Sequence, residues 1–178
     1  MSRRLGKLDW IKHGLVTLAR DGPNALRVES MAKKLKVSRG SFYWHFRDIK
    51  DFRSQLLRSW QDRSTDQVIQ DLDMHAAPPD RLEYLMQRAF GGRRHLDDAV
   101  RSWAADDKTV AKVVAATDSK RIAHIEKLLV EAGVEPKLAH HRATFLYWAY
   151  VGHSLVQGGV SASLSSHAIN DLSHLFQT

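Results

Sequence analysis

The sequence contains no cysteine. That removes disulfides, thiolate-bound zinc, iron–sulfur clusters and cysteine nucleophiles together, and it fits a reducing compartment. Long hydrophobic runs are also missing. No stretch approaches the ~20 apolar residues of a membrane span, so no membrane partner is expected and the protein reads as cytoplasmic. The N-terminus, MSRRLGKLDWIKHG, is basic but lacks the apolar core of a secretory signal. Strand-like alternation never extends convincingly beyond four residues. There is no Gly-rich phosphate loop, no HExxH and no G-x-S-x-G, and the Ser and His residues show no triad spacing. The adjacent His140 and His141 point apart on a helix, and His153 is too far along for one metal site. We therefore expect no enzyme, no metal and no cofactor. With 43% hydrophobic and 26% charged residues the chain is ordinary for a folded domain, which excludes disorder as its main state.

What the chain has is positive charge, unevenly placed. The net charge is +7. Residues 1–60 hold 14 Lys+Arg against 5 Asp+Glu, and residues 61–178 hold 13 against 15. All of the excess lies in the first third. A basic segment on a near-neutral body is the electrostatic footprint of a nucleic-acid-binding head, though a merely solubilising surface has the same charge.

The apolar pattern is helical throughout. Leu8, Ile11, Leu15 and Leu18 predict a helix over about 8–20, stopped by Asp21-Gly22-Pro23-Asn24. Val28, Met31, Ala32 and Leu35 mark a short second helix, and Ser38 is placed to cap a third carrying Phe42 and Phe46 inward. Asp48, with Asp51 in capping-box position, opens a long helix reaching about Leu72, its inward face Ile49, Phe52, Leu56 and Trp60. Beyond the break at Ala76-Ala77-Pro78-Pro79, helices are expected from Asp80 to Gly91-Gly92, around Leu96–Trp103, over 107–132 to a stop at Gly133, over 136–157 to Gly158-Gly159, and after Ser165 or Ser166. The 136–157 helix is apolar on more than one side (Leu138, Phe145, Leu146, Trp148, Tyr150, Val151, Leu155), the pattern of a helix buried on two sides. The expected fold is all-α with about nine helices. Residues 1–50 form a three-helix head and 51–178 a helical body, joined by the 48–72 helix.

The stretch RVESMAKKLKVSRGSFYWHFRDIK, Arg27 to Lys50, has the layout of a helix-turn-helix. In that motif the second helix lies in the major groove with its first residues at the base edges. Arg39 can pair with guanine. Gly40 lets the helix start approach closely, and Ser38 and Ser41 can reach phosphate. Tyr43, Trp44 and His45 stand ~100° apart on a helix and cannot all pack inward.

These residues resemble the recognition segment of the TetR family of transcriptional regulators: Met31-Ala32, the Val37-Ser38 turn, then Ser41, Phe42, Tyr43, Trp44, His45 and Phe46. The detailed resemblance covers about residues 8–60. It departs at Arg27, where the family usually has Thr or Ser, and at Ile49, where it often has Lys or Arg. Arg47 or Lys50 can substitute for the latter, Arg27 can still contact phosphate though it caps poorly, and Val28 and His45 are expected with them among the DNA-binding residues. The resemblance implies a sequence-specific DNA-binding regulator, most simply a repressor released by a small-molecule effector, acting as a homodimer on a palindromic operator. In the body, Phe90, Trp103, His124, Tyr147 and Tyr150 are expected at an effector site, and Phe145, Trp148, Ala149, Gly152 and Leu172 at a dimer interface. The alternative is a helical ligand-binding or interaction protein that has lost sequence-specific DNA binding.

Overall fold

The structure, a computed structural model, describes residues 5–77, 80–91, 95–155 and 164–178. The described residues hold no strand. Their helices are α1 (Lys7–Asp21), α2 (Val28–Leu35), α3 (Arg39–Tyr43), α4 (Ile49–Gln61), α5 (Gln67–His75), α6 (Arg81–Phe90), α7 (His95–Asp106), α8 (Lys108–Glu131), α9 (Pro136–Leu155) and α10 (Ser166–Gln177). The backbone stays helical from α4 through a π turn at Asp62–Asp66 into α5. Counted as one, this is the single long helix that the Asp48 cap announces, and the described residues then hold nine α-helical segments besides a 3-10 turn at Pro23–Ala25. The expected stops at Pro78-Pro79, Gly92 and Gly158-Gly159, and the side chain of Leu155, lie outside the described residues.

By internal contacts the chain divides into two units. The first is Met1–Ser64 with His95–Ala115, and the second is Thr65–Arg94 with Ala116–Thr178. Each has its own apolar core.

The first unit is built on aromatic rings. Trp10, Phe42, Phe46 and Phe52 are all buried. Phe42 meets Trp10 at 5.3 Å and 79°, and Phe46 meets Phe52 at 4.9 Å and 79°. Edge-to-face pairs of this kind add about 0.5–1.5 kcal/mol each beyond their buried area. The inward face of α1 is Trp10, Ile11, Gly14, Leu15 and Leu18. Leu8, expected on that face, is instead 69% exposed. The helical repeat that carries Ile11 and Leu18 inward places Trp10 at the other edge of the stripe. Val100 and Trp103 of α7 close this core, and the buried Trp60 donates its Nε1–H to Asp97 Oδ1 at 2.7 Å. That acceptor offsets the cost of burying the Trp60 indole N–H.

The α2–α3 turn is made by Lys36, which takes the left-handed conformation at φ 57°. The turn is closed by Val37 N–H to the Ala32 carbonyl at 3.0 Å, the pattern that ends many helices. α3 is shorter than its apolar spacing suggests. It ends at Tyr43, and Phe46 returns to the core one turn later through its N–H to the Phe42 carbonyl at 3.0 Å.

In the second unit, Leu82, Met86 and Phe90 of α6, Ile125 and Leu129 of α8, and Ala139, Ala143, Leu146 and Tyr147 of α9 form the core, with Ile169 of α10. Gly133 ends α8 at φ 97°, a left-handed position that glycine adopts without a Cβ penalty. Ser165 caps α10, accepting the Ala168 N–H at 3.2 Å.

Candidate nucleic-acid interface

The aromatic core of the first unit fixes what α3 can show outside. Phe42 points in and is fully buried. Its neighbours Tyr43 and Trp44, one and two helical steps on, must therefore leave the core. They are 59% and 82% exposed. An indole left that open is uncommon on a monomer surface and marks a contact site more than a packing accident. Tyr43 is nonetheless held: its ring stands edge-on to Phe42 at 5.3 Å and 87°, so the buried ring sets the exposed one.

Before these rings come Ser38, Arg39 and Gly40, all exposed, and Ser41, half-buried. Ser38 occupies the N-cap, but its hydroxyl accepts no helix amide, which differs from the capping role its type suggests. A Cβ at Gly40 would meet only the Ser38 Oγ, at an ordinary 3.5 Å. The fold itself does not require glycine there. Arg27 occupies the N-cap of α2 without a side-chain cap bond and stays exposed, as its poor capping chemistry implies. Val28 is half-buried and packs on the head core.

His45 behaves differently from Tyr43 and Trp44. It is half-buried, and its Nε2 lies 3.1 Å from the carbonyl of Leu5, forty positions away. The start of α4 is tied by its own side chains. Asp48 Oδ1 accepts the Asp51 N–H at 2.8 Å, as expected of the cap. The return bond differs from a regular capping box. Asp51 Oδ2 accepts the N–H of Arg47 at 3.1 Å, one residue early. The Asp51 N–H holds the Asp48 carboxyl below the usual carboxylate range, and Gln55 with the Arg47 N–H does the same for Asp51. Both stay ionised and leave the side chains of Arg47 and Lys50 exposed around them. Arg27, Lys33, Lys36, Arg39, Arg47 and Lys50 are all exposed, on α2, α3 and α4 and on the segments beside them, and Arg47 Nε lies 3.4 Å from Asp48 Oδ2.

In the second unit, three of the rings expected at an effector site come together. Tyr147 stacks on Tyr150 at 5.6 Å and 27°, and Phe90 meets Tyr150 at 6.5 Å. Sequence reasoning missed the polar members of this cluster. Arg121 is buried, its guanidinium 5.7 Å from the Tyr150 ring and its Nε donating to Thr65 Oγ1 at 2.9 Å. Tyr147 donates its hydroxyl to Asp118 Oδ1 at 2.6 Å, and His153 stands 5.5 Å from Phe90. A signal for Arg121 existed. Val110, Val114, Thr117, Arg121, Ile125 and Leu128 are all buried, and they follow the helical repeat of one face, with an arginine in an apolar register. His124 is set among Asp73, Lys127, Glu131 and Arg81, and burial pushes its imidazole below its ordinary value. Trp103, also expected at an effector site, is core in the first unit, with the Arg53 guanidinium 5.7 Å from its ring.

Of the residues expected at a dimer interface, Phe145 and Trp148 are 62% and 66% exposed on α9. Ala149 is exposed, Gly152 is half-buried with open space where a Cβ would go, and Leu172 packs half-buried on the body core. α9 therefore has a second apolar side: Ala139, Ala143, Leu146 and Tyr147 face the core while Leu138, Phe145 and Trp148 do not. Among the described residues no three His, Cys, Asp or Glu are grouped to hold a metal ion, and no helix is long and apolar enough to cross a membrane.

An exposed, ring-bearing short helix following a tight turn on a basic three-helix head has the layout of a helix-turn-helix. Residues 11–55 match the family model of bacterial regulatory proteins, tetR family. No curated protein sequence matches the chain. Among solved structures, the crystal structure of E. coli NemR in its reduced form is similar with a TM-score of 0.75 at 17% identity, over 95% of this chain and 94% of that one. A Rhodococcus sp. protein assigned to the TetR-family transcriptional regulators gives 0.64 at 19% identity, over 98% and 97% of the two chains. The structural likenesses carry the fold, and the family model carries the head. Residues 11–55 thus resemble the DNA-binding head of that family, and over the rest of the chain the likeness is one of fold.

Proposed function

We propose that this protein is a sequence-specific transcriptional repressor that binds a palindromic operator as a homodimer and is released by a small-molecule effector. The observation that carries the reading is the pairing of a buried Phe42 with the exposed Tyr43 and Trp44 on α3. Arg39 would read a base edge, most simply guanine O6/N7. Gly40 would allow close approach, and Tyr43, Trp44, Ser38 and Ser41 would contact phosphate, sugar or a thymine methyl. Arg27, Arg47 and Lys50 would neutralise phosphates on either side.

The outer side of α9 supports the dimer. Phe145, Trp148 and Ala149, with the gap left by Gly152, make an apolar strip fit to bury against a second copy. The cluster of Phe90, Tyr147 and Tyr150, with the buried Arg121 against it, is the proposed effector site, its flat rings suited to an apolar or aromatic body. Without cysteine, release cannot use a thiol–disulfide switch within this chain. An effector acts on DNA affinity only by as much as it prefers one state of the protein to the other.

Selection of bound fragments from random DNA by the full chain tests this reading. Enrichment of inverted repeats, with half-sites about one helical turn apart or a multiple, is expected. Binding with a steep salt dependence but no enriched sequence contradicts it and favours the alternative of a helical interaction protein that no longer reads DNA.

A further inference from the structure

Among the described residues a single non-glycine position has a positive φ, and it is a lysine. Lys36 ends α2 at φ 57° and ψ 42°, in the left-handed region. The other positive-φ positions, Gly22 and Gly133, are glycines. The backbone uses this conformation to make the tight turn into α3. The Lys36 N–H donates to the Lys33 carbonyl at 3.2 Å and the Val37 N–H to the Ala32 carbonyl at 3.0 Å. Both are backbone bonds, which a glycine would make with less strain. Glycine enters the left-handed region freely and asparagine tolerates it, whereas a lysine crowds its Cβ against a carbonyl oxygen.

The Lys36 side chain gives the fold nothing in return. It is exposed and has no hydrogen bond, ion pair or ring contact among the described residues. Lys34, two residues earlier, is paired with Asp21 at 3.2 Å. A cation at the end of a helix does complement the helix dipole. Lys33 and Lys34 already do so in the last turn of α2. Backbone strain of this kind persists where a residue serves something outside its own chain.

The place of Lys36 in the chain says what that is. It lies three residues before Arg39, the proposed base-reading residue. Three residues span at most about 11 Å, less than the ~12 Å width of the major groove. With Arg39 at a base edge, Lys36 is within one groove width of it, where the groove is walled by phosphate. Lysine is a compact cation on a flexible stem, suited to a phosphate and not to bidentate reading of a base.

Resting on the DNA-binding reading above, we propose that Lys36 is a phosphate-contact residue, held in the left-handed turn before α3 so that its ammonium meets the DNA backbone beside the bases that α3 reads. The turn gives up stability to carry this charge. The charge adds affinity without sequence preference.

The test uses the full-length chain with Lys36→Gly and Lys36→Asn, which both suit the left-handed turn and carry no charge. Urea denaturation should show both variants folded and more stable than the parent, with the folding equilibrium constant raised about fivefold for glycine. Fluorescence anisotropy on the operator enriched by selection should show binding about three- to tenfold weaker at physiological salt. The salt slope should fall by about one per bound chain, and discrimination against base-altered operators should stay as in the parent. Lys36→Arg should keep the slope. So should Lys137→Asn, which removes an exposed charge from the body and controls for net charge. Neutral Lys36 variants with the parent's slope overturn the contact and leave the DNA-binding reading standing. Neutral variants less stable than the parent overturn the strain on which the assignment rests. An equal fall in slope from Lys137→Asn overturns a local contact. If the parent binds all duplexes alike, the repressor reading falls, while a slope lowered by the Lys36 variants on any duplex upholds the contact. A parent that binds no duplex overturns both.

Discussion

Gly14 of α1 lies against Phe52 of α4 so closely that a Cβ at Gly14 would stand 2.6 Å from Phe52 Cζ and 2.9 Å from Leu56 Cδ2. The absence of one methyl group lets α1 seat on the ring cluster that orients α3. Phe52 is locked against both Phe42 and Phe46 and has nowhere to turn. Gly14→Ala should therefore cost about 1–3 kcal/mol by overpacking, despite the better helix propensity of alanine. Urea denaturation of the parent and the variant measures it. A variant at least as stable as the parent would show that the crossing is looser than described.

Gly40 is the opposite case. A Cβ there meets nothing closer than the Ser38 Oγ at 3.5 Å. Gly40→Ala should leave the fold intact and add about 0.5–1 kcal/mol through helix propensity. Any loss must then appear only against DNA. The expected pair of results is an unchanged or raised melting temperature with weaker operator binding. Equal operator binding by the variant would show that the start of α3 does not approach the DNA closely.

Helix type and the buried stripes were legible in the sequence because each stripe follows the helical repeat. Ile11, Leu15, Leu18, Phe52, Leu56 and Trp60 all lie where that repeat puts them. The edges of stripes were not legible: Leu8 fits the repeat as well as Trp10 does, and only the ring cluster decides between them. The outward rings of α3 followed from geometry, since three consecutive side chains cannot share one face. Which ring turns away did not follow. The partner of His45 is a carbonyl forty positions back, a contact no local pattern carries. Arg121 was hidden for a related reason, its partners Thr65 and Tyr147 lying on distant segments.

His124 gives the body a pH signature. Its Nε2 is buried without a hydrogen-bond partner among the described residues, and burial holds its pKa below the ordinary 6.5. Below that ordinary value the unfolded chain binds a proton that the native chain refuses. Stability should then be complete above about pH 6.5 and should decline on acidification, until the pH falls through the native value. His13, lowered in the same sense by burial and then by Lys34 and Arg20, adds to the slope. Denaturation midpoints at pH 7.5 and 5.5 should differ less for His124→Gln than for the parent. An identical difference in both proteins would remove His124 from the account.

The outer side of α9 predicts the assembly. Phe145 and Trp148 are both mostly exposed and sit one helical turn apart. Replacing both with glutamate should convert a dimer into a folded monomer, because two charges at the centre of an apolar interface cannot be hydrated there. Sedimentation velocity reads this directly, with circular dichroism as the check on folding. A double variant that still sediments as a dimer would place the interface elsewhere.

In the proposed function α3 reads DNA through Arg39 and Tyr43. Its most direct test is equilibrium binding of the combined Arg39→Ala and Tyr43→Ala variant to the selected operator at fixed salt, beside a thermal melt. Both side chains are exposed, so the variant's stability should stay within about 0.5 kcal/mol of the parent's. Affinity should fall about a hundredfold or more, and discrimination against operators altered at the contacted bases should relax. A folded variant that binds the operator as tightly and as selectively as the parent would contradict the account.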